Sequence, residues 1–254
     1  MKALILAAGY GTRLIKDADL CKDEKLKKII LTTPKPLLPI KNKPIIQHTI
    51  EKINKIEEIS EIFIVTNDKF YGYFEEWLSD YDNEKITLIN DNTTSNEDRL
   101  GAIGDMEFVI KKFDIDDDLM IIAGDNFFEI NLEEIYDYFK QKNSSIICAI
   151  DLLNKEKLRK RLGVVEVDDE NKIIGFEEKP EEPKTTLAAS LIYIIKREDL
   201  KLSDAYLKSE TRADAIGIFI SWLCKRTEVY AFVFGKKYKW FDIGSLESYK
   251  EANK

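Results

Sequence analysis

The sequence predicts an α/β protein built on a doubly wound, mixed but mainly parallel sheet, with a small strand-rich subregion added to it. Three observations carry that expectation. Short apolar runs alternate with amphipathic stretches through the N-terminal half, the rhythm of strands joined by covering helices. The first apolar run passes directly into the turn Gly9-Tyr10-Gly11, which would lie at the carboxyl edge of a first strand. After Leu162 the rhythm gives way to strands separated by turn residues.

Taken in order, residues 3–8, 62–66, 86–89, 119–123 and 145–150 are short apolar runs, rich in β-branched residues and bounded by polar ones, and predict strands. Between them, residues 44–56, 70–81, 102–113 and 132–142 repeat their apolar positions every three or four residues and predict helices. Residues 164–167 and 173–178 flank Asp168-Asp169-Glu170-Asn171, a turn-forming tetrad that predicts an antiparallel hairpin. Strands at 187–195 and 229–234 and helices at 197–208, 214–225 and from Leu246 complete the chain. No linker or internal repeat divides it, so residues 1–254 are expected to form one domain.

The balance of charge excludes some partners. Lys and Arg number 39 against 47 Asp and Glu, a net charge of −8, which argues against a broad basic surface for nucleic acid. The opening apolar run is too short for a membrane span or a signal segment, so a cytoplasmic protein with no membrane partner is expected. Cys21, Cys148 and Cys224 are widely spaced without a metal-binding pattern and read as reduced thiols.

The loop after the first run lacks the third glycine of a dinucleotide fingerprint, since Leu14 stands there, and it lacks the Gly-Lys-Ser/Thr of a P-loop. It does place flexible backbone and the guanidinium of Arg13 at a strand's carboxyl end, where ligands of open α/β sheets bind. Pro34-Lys35-Pro36 holds one lysine between prolines that stiffen the backbone around it. Asp125 ends an apolar strand and is suited to a hard cation. The single histidine, His48, sits on an expected helix and is given no role.

Leu-Ala-Ala-Gly-x-Gly-Thr-Arg-Leu followed by Pro-Lys-Pro-Leu-Leu-Pro resembles the signature of the sugar-phosphate nucleotidyltransferases. Further motifs follow in family order: Ala123-Gly124-Asp125-Asn126, Leu162-Gly163-Val164-Val165-Glu166, Phe176-Glu177-Glu178-Lys179-Pro180 and Trp240-Phe241-Asp242-Ile243-Gly244. The resemblance implies a Rossmann-like fold whose nucleotide-binding part covers about residues 1–150, with a β-rich sugar-binding part over about 151–254. It implies transfer of a nucleoside monophosphate from a nucleoside triphosphate, dTTP or UTP being favoured, to a sugar 1-phosphate with release of pyrophosphate. Arg13, Lys35 and Asp125 would be catalytic, and Asp125 with Asp242 would hold Mg²⁺. Ala8, Gly9, Gly11, Thr12, Asn90, Asn92 and Gly101 would bind the nucleotide, the asparagine amides reading the base; Gly124, Gly163, Glu178, Lys179 and Ser190 would bind the second substrate. Homo-oligomerisation is left open.

Three departures from the family pattern stand out. Residues 15–33 form a longer, lysine-rich connection, suited either to a lid or to a surface insertion. Ser190-Leu191 replaces a Thr-Gly pair beside the sugar, and residues 90–101 are longer and more polar than the usual base-reading segment. The alternatives are a cytidylyltransferase acting on a non-sugar phosphate such as phosphocholine, and a non-catalytic subunit that binds nucleotide sugars.

Overall fold

In the computed structural model, which describes residues 1–209, 215–235 and 237–254, the chain opens with β1 (Lys2–Leu6) and two short helices, α1 (Thr12–Ala18) and α2 (Glu24–Thr32). A tight helical turn at Lys35–Leu37 leads to the small antiparallel pair β2 (Pro39–Ile40) and β3 (Lys43–Pro44). Next come α3 (Ile45–Ile53), β4 (Glu61–Thr66), α4 (Asp68–Asp80), β5 (Ile86–Asn90), α5 (Gly101–Lys112) and β6 (Leu119–Ala123). They are followed by β7 (Asn126–Phe128), α6 (Leu132–Lys142), β8 (Ser145–Asp151), β9 (Gly163–Val167), β10 (Ile173–Glu178) and β11 (Leu187–Ile195). The last elements are α7 (Arg197–Leu200), α8 (Leu202–Leu207), α9 (Ile216–Leu223), β12 (Val229–Phe234), β13 (Trp240–Asp242) and α10 (Leu246–Ala252).

The expected doubly wound sheet is present. β1 lies between β4 and β6, parallel to both, and β5 extends the parallel set beyond β4. Because helices cover both faces, the central strands are apolar on both sides: Ala3 and Ile5 enter the core under α3, α4 and α6, while Leu4 enters the one under α5, α8 and α9. β11 pairs antiparallel with β6 on one edge and with β8 on the other, and β12 runs parallel to β8. The hairpin forms as the turn chemistry requires. Asp168 Oδ1 accepts from the N–H groups of Glu170 and Lys172, Asn171 takes φ +63°, and β9 and β10 pair antiparallel.

β11 makes the opening that becomes the site. It pairs with β6 only over Ile192–Ile195; its register against β8 then shifts between Ala189 and Tyr193, and Ala188 pairs instead with Val164 of β9. Leu191 sits in that break at φ +57°, a backbone region costly for a side-chain-bearing residue. The strand thus parts from β6 beside the carboxyl ends of β1 and β6 while it stays paired with β8.

Some boundaries differ from the sequence expectation. β1 stops at Leu6, not Ala8, because the chain must turn into the glycine loop. The helix expected over 197–208 is two short helices meeting at Lys201, and the one expected over 214–225 is observed as Ile216–Leu223, with Asp214 lying outside the described residues. Residues 15–33 are structured, and Ile15 with residues 30–33 lines a hollow beside Gly9, Gly11 and Lys35. They complete α1 and form α2, whose N-cap Asp23 accepts from Lys25 and Leu26 N–H, and Leu14, Ala18 and Ile30 pack with Ile40, Ile243 and Tyr249 into a third core.

Candidate active site

The glycine loop is fixed from three sides. Ala7 N–H donates to Val65 O at 2.8 Å, Asn67 Nδ2 donates to Ala8 O at 2.8 Å, and the buried hydroxyls of Tyr10 and Thr93 are 3.0 Å apart. Asn67 also caps α4 through Phe70 N–H, so the loop is tied to a helix end. Gly11 takes φ +68°, and a Cβ there would lie 3.5 Å from Lys35 Cγ. The lysine stem therefore lies across the glycine, as the Pro-Lys-Pro turn directs it, and its ammonium reaches Asp125 Oδ2 at 3.4 Å.

Two cavities meet at this point. The first, about 320 Å³, is lined by Ala8, Gly9, Gly11, Lys35, Gly101 and Asp125 among others, with Asp91 and Asp105 also on its wall. The second, about 280 Å³, is lined by Arg13, Asp125, Arg161, Gly163, Glu178, Lys179 and Asp242, together with Tyr193 and Trp240. Asp125, Ala102, Leu191 and Ala215 belong to both walls. The arrangement suits two substrates brought end to end across Asp125 and Lys35.

Asp125 and Asp242 are brought together by the pairing of β7 with β13, in which Asp242 stands opposite Asn126, and Ile243 N–H donates to Asp125 O at 3.2 Å. Burial, and then the neighbouring charge of Asp125, raise the Asp242 carboxyl above its ordinary range, while Lys35, Arg13 and Arg161 oppose the rise. Two carboxylates held close at such a cost, with cations around them, fit a Mg²⁺ ion that takes one or two protein carboxylates and completes its shell with water and phosphate oxygens. The Arg13 guanidinium packs against Gly244, where an added Cβ would lie 3.2 Å from Arg13 Nη2.

At the far end of the second cavity Glu178 leans over two glycines. A Cβ on Gly163 would fall 3.1 Å from Glu178 Oε2, and one on Gly217 would overlap it at 2.0 Å, so the carboxylate occupies space that only glycine leaves open. Lys179, at φ +49°, turns back to place Nζ 3.3 Å from Glu178 Oε1.

Not every expected residue reaches the cavities. Thr12 is exposed beside the loop. Asn90 spends its amide on Asp68 Oδ1 and accepts from Asn92 N–H, and exposed Asn92 points elsewhere; Asp91, between them, is the residue on the cavity wall. Gly124 N–H bonds to Leu6 O, and the glycine serves close contact of β6 with β1. Ser190 is fully buried with Oγ donating to Cys148 O, while its carbonyl accepts from Asn126 and Trp240. The sequence reading missed Asp91, Asp105 and Arg161. Arg161 adjoins Leu162-Gly163 and was within reach of motif reading, whereas the meeting of Asp91 with Asp105, 14 positions on, is visible only in three dimensions.

Comparison with known proteins agrees with this geometry. Residues 2–254 match the family described as Nucleotidyl transferase. The bifunctional protein GlmU of Methanocaldococcus jannaschii is 30% identical over the whole of this chain, which spans 54% of that relative's length. A glucose-1-phosphate adenylyltransferase of Clostridium novyi is 28% identical, again over the whole chain and over 66% of the relative. A crystal structure from Bacillus anthracis in complex with a sucrose, provisionally named a glucose-1-phosphate thymidylyltransferase, is 25% identical and superposes with a TM-score of 0.79 over 100% of this chain and 94% of its own. The chain thus spans about half the length of a curated relative it matches end to end. With the signature loop, the lysine turn and the paired aspartates gathered beside the carboxyl ends of the parallel strands β1 and β6, the chain belongs to the nucleotidyl transferase family.

Proposed function

We propose that the protein transfers a nucleoside monophosphate from a nucleoside triphosphate, with dTTP or UTP as favoured donors, to a sugar 1-phosphate, releasing pyrophosphate. The observation that carries this reading is the pair of cavities joined at Asp125, with Lys35 on the wall of one and Arg13 on the wall of the other. The family resemblance assigns the first to the nucleotide and the second to the sugar phosphate.

A phosphate oxygen of the sugar 1-phosphate attacks the α-phosphorus in line, the new P–O bond forms, and the bond to the β-phosphate oxygen breaks. Such a reaction asks for positioning and charge neutralisation more than covalent help. Lys35 stands where the two substrates meet and draws their phosphates together. Arg13 offsets charge moving onto the leaving pyrophosphate. Arg161 and Lys179 supply cations for the sugar phosphate, and Glu178 offers acceptor oxygens to sugar hydroxyls. Mg²⁺ held by Asp125 and Asp242 would supply neutralisation of the phosphate oxygens.

Among the described residues no helix is long and apolar enough to cross a membrane, and the three cysteines are unpaired, which supports a cytoplasmic enzyme. The test is pyrophosphate release with each nucleoside triphosphate against a panel of sugar 1-phosphates and phosphocholine. Release with a sugar 1-phosphate is expected. Release with phosphocholine alone, or with no acceptor in the panel, overturns the reading.

A further inference from the structure

The nucleotide cavity holds two carboxyls that this chemistry does not use. Asp91 follows β5 and Asp105 lies in α5; both line the cavity, and they are only 6% and 5% exposed. Asp91 Oδ1 is occupied, accepting from Thr93 N–H at 2.7 Å and from the Thr93 hydroxyl at 2.8 Å. Asp91 Oδ2 and Asp105 Oδ1 are buried with no hydrogen-bond partner among the described residues. Two ionised carboxylates at such a place repel each other, whereas one proton shared between them satisfies both buried oxygens. Burial, and then the charge of Asp91, push Asp105 up to about 8, so the pair keeps that proton at neutral pH.

What the pair then presents to the cavity is an acceptor, the remaining oxygen of Asp105. Lys35 and the backbone of the glycine loop draw the triphosphate to their part of the wall, and the base is left to the part where Asp91 and Asp105 stand beside Arg99.

We propose that Asp91 and Asp105 select the base of the nucleoside triphosphate, accepting bases with a ring N–H (uracil, thymine and guanine) and rejecting those with a ring nitrogen lone pair in its place (cytosine and adenine). This rests on the nucleotidyl-transfer reading. The Asp105 oxygen accepts a hydrogen bond from N3–H of uracil or thymine, or from N1–H of guanine. Against N3 of cytosine or N1 of adenine it meets a lone pair. Turning the shared proton outward to such a nitrogen would leave Asp91 Oδ2 without a donor among the described residues. A buried acceptor left unpaired in this way corresponds to about tenfold to a hundredfold in affinity.

The experiment is equilibrium binding of UTP, dTTP, GTP, CTP and ATP, each with Mg²⁺, to the wild type and to Asp105 variants. The first three should bind at least about tenfold more tightly than the last two. Asp105→Asn, whose amide can donate to Asp91 and turn its carbonyl to the cavity, should keep that ratio, and Asp105→Ala should bring all five within about threefold. CTP or ATP binding as tightly as UTP and GTP in the wild type overturns the proposal without need of a variant, and so does an unchanged ratio in Asp105→Ala. Equal binding of all five with pyrophosphate release intact removes the base assignment alone. Failure of all five to bind removes the nucleotidyl-transfer reading with it.

Discussion

Lys35 Nζ stands 3.4 Å from Asp125 Oδ2, across 90 positions of sequence, and this contact joins the two cavities. On the proposed function, the carboxylate would hold the ammonium where the phosphates of the two substrates meet. Lys35→Met should lower kcat/KM about a hundredfold or more, the scale for loss of one preorganised charge at a reacting centre. Arg13→Ala should lower kcat far more than it weakens nucleotide binding, because its charge matters most as pyrophosphate leaves. Steady-state kinetics beside direct nucleotide titration separates the two, and equal losses in both quantities would make Arg13 an ordinary binding residue.

Turnover should require a divalent cation and vanish in EDTA, with Mg²⁺ restoring it. Asp125→Ala and Asp242→Ala should each abolish that recovery, since the metal would lose one of two carboxylate ligands. Full turnover in EDTA, or wild-type rates in both variants, removes the metal assignment.

Gly11→Ala meets a backbone penalty. The residue must keep φ +68°, which costs about 1–2 kcal/mol with a side chain, while its Cβ would meet the Lys35 stem at ordinary van der Waals distance, 3.5 Å. Melting temperature should fall by a few degrees with kcat little changed. A steep loss of kcat at an unaltered melting temperature would show that the glycine serves Lys35 and not the turn.

Leu191 lines both cavities at φ +57°. If the sugar approaches the Ser190-Leu191 strand, the isobutyl group takes up space that a hexose hydroxyl would otherwise fill, and an unpartnered hydroxyl against it costs about 1–3 kcal/mol, or tenfold to a hundredfold in relative substrate efficiency. Leu191→Gly should therefore raise kcat/KM for glucose 1-phosphate relative to the best wild-type substrate. Glycine also suits the backbone angle, although lost packing against the neighbouring core offsets that gain. If glucose 1-phosphate is already the best substrate and the preference does not move, Leu191 carries no specificity.

The Asp91–Asp105 pair gives stability a pH dependence of known sign. Asp105 has its carboxyl raised from 3.8 to about 8, so the folded protein keeps a proton that the unfolded chain releases above pH 3.8. Its contribution to stability falls as pH rises from about 4 to about 8 and is level beyond. Thermal melts of the wild type against Asp105→Asn should diverge across that window, the variant losing less. Parallel curves would show that no shared proton exists.

The strands β1, β4, β5 and β6 and the hairpin of β9 and β10 were legible in the sequence because each rests on local signals. Buried parallel strands leave continuous apolar runs, and Asp168 with Asn171 specifies a turn by its own hydrogen bonds. The two short helices of residues 15–33 were less legible. Their apolar positions are few, and Leu14 and Ile30 become a core only against Ile243 and Tyr249, more than 200 positions away.

The same division runs through the site. Gly11, Arg13, Lys35, Asp125, Glu178, Lys179 and Asp242 could be named from the chain because backbone angle, proline restraint or motif order marks each one locally. Asn90 and Ser190 looked equally polar and equally placed, yet Asn90 donates its amide to Asp68 and accepts from Asn92 N–H, and Ser190 donates its hydroxyl to Cys148 O. Residue type announces that a group can bind, but only the fold decides whether another part of the protein has already claimed it. For Asp91 and Asp105 the fold does the opposite. It buries two ordinary acids together, each with one oxygen that has no hydrogen-bond partner among the described residues, a desolvation that no local pattern records.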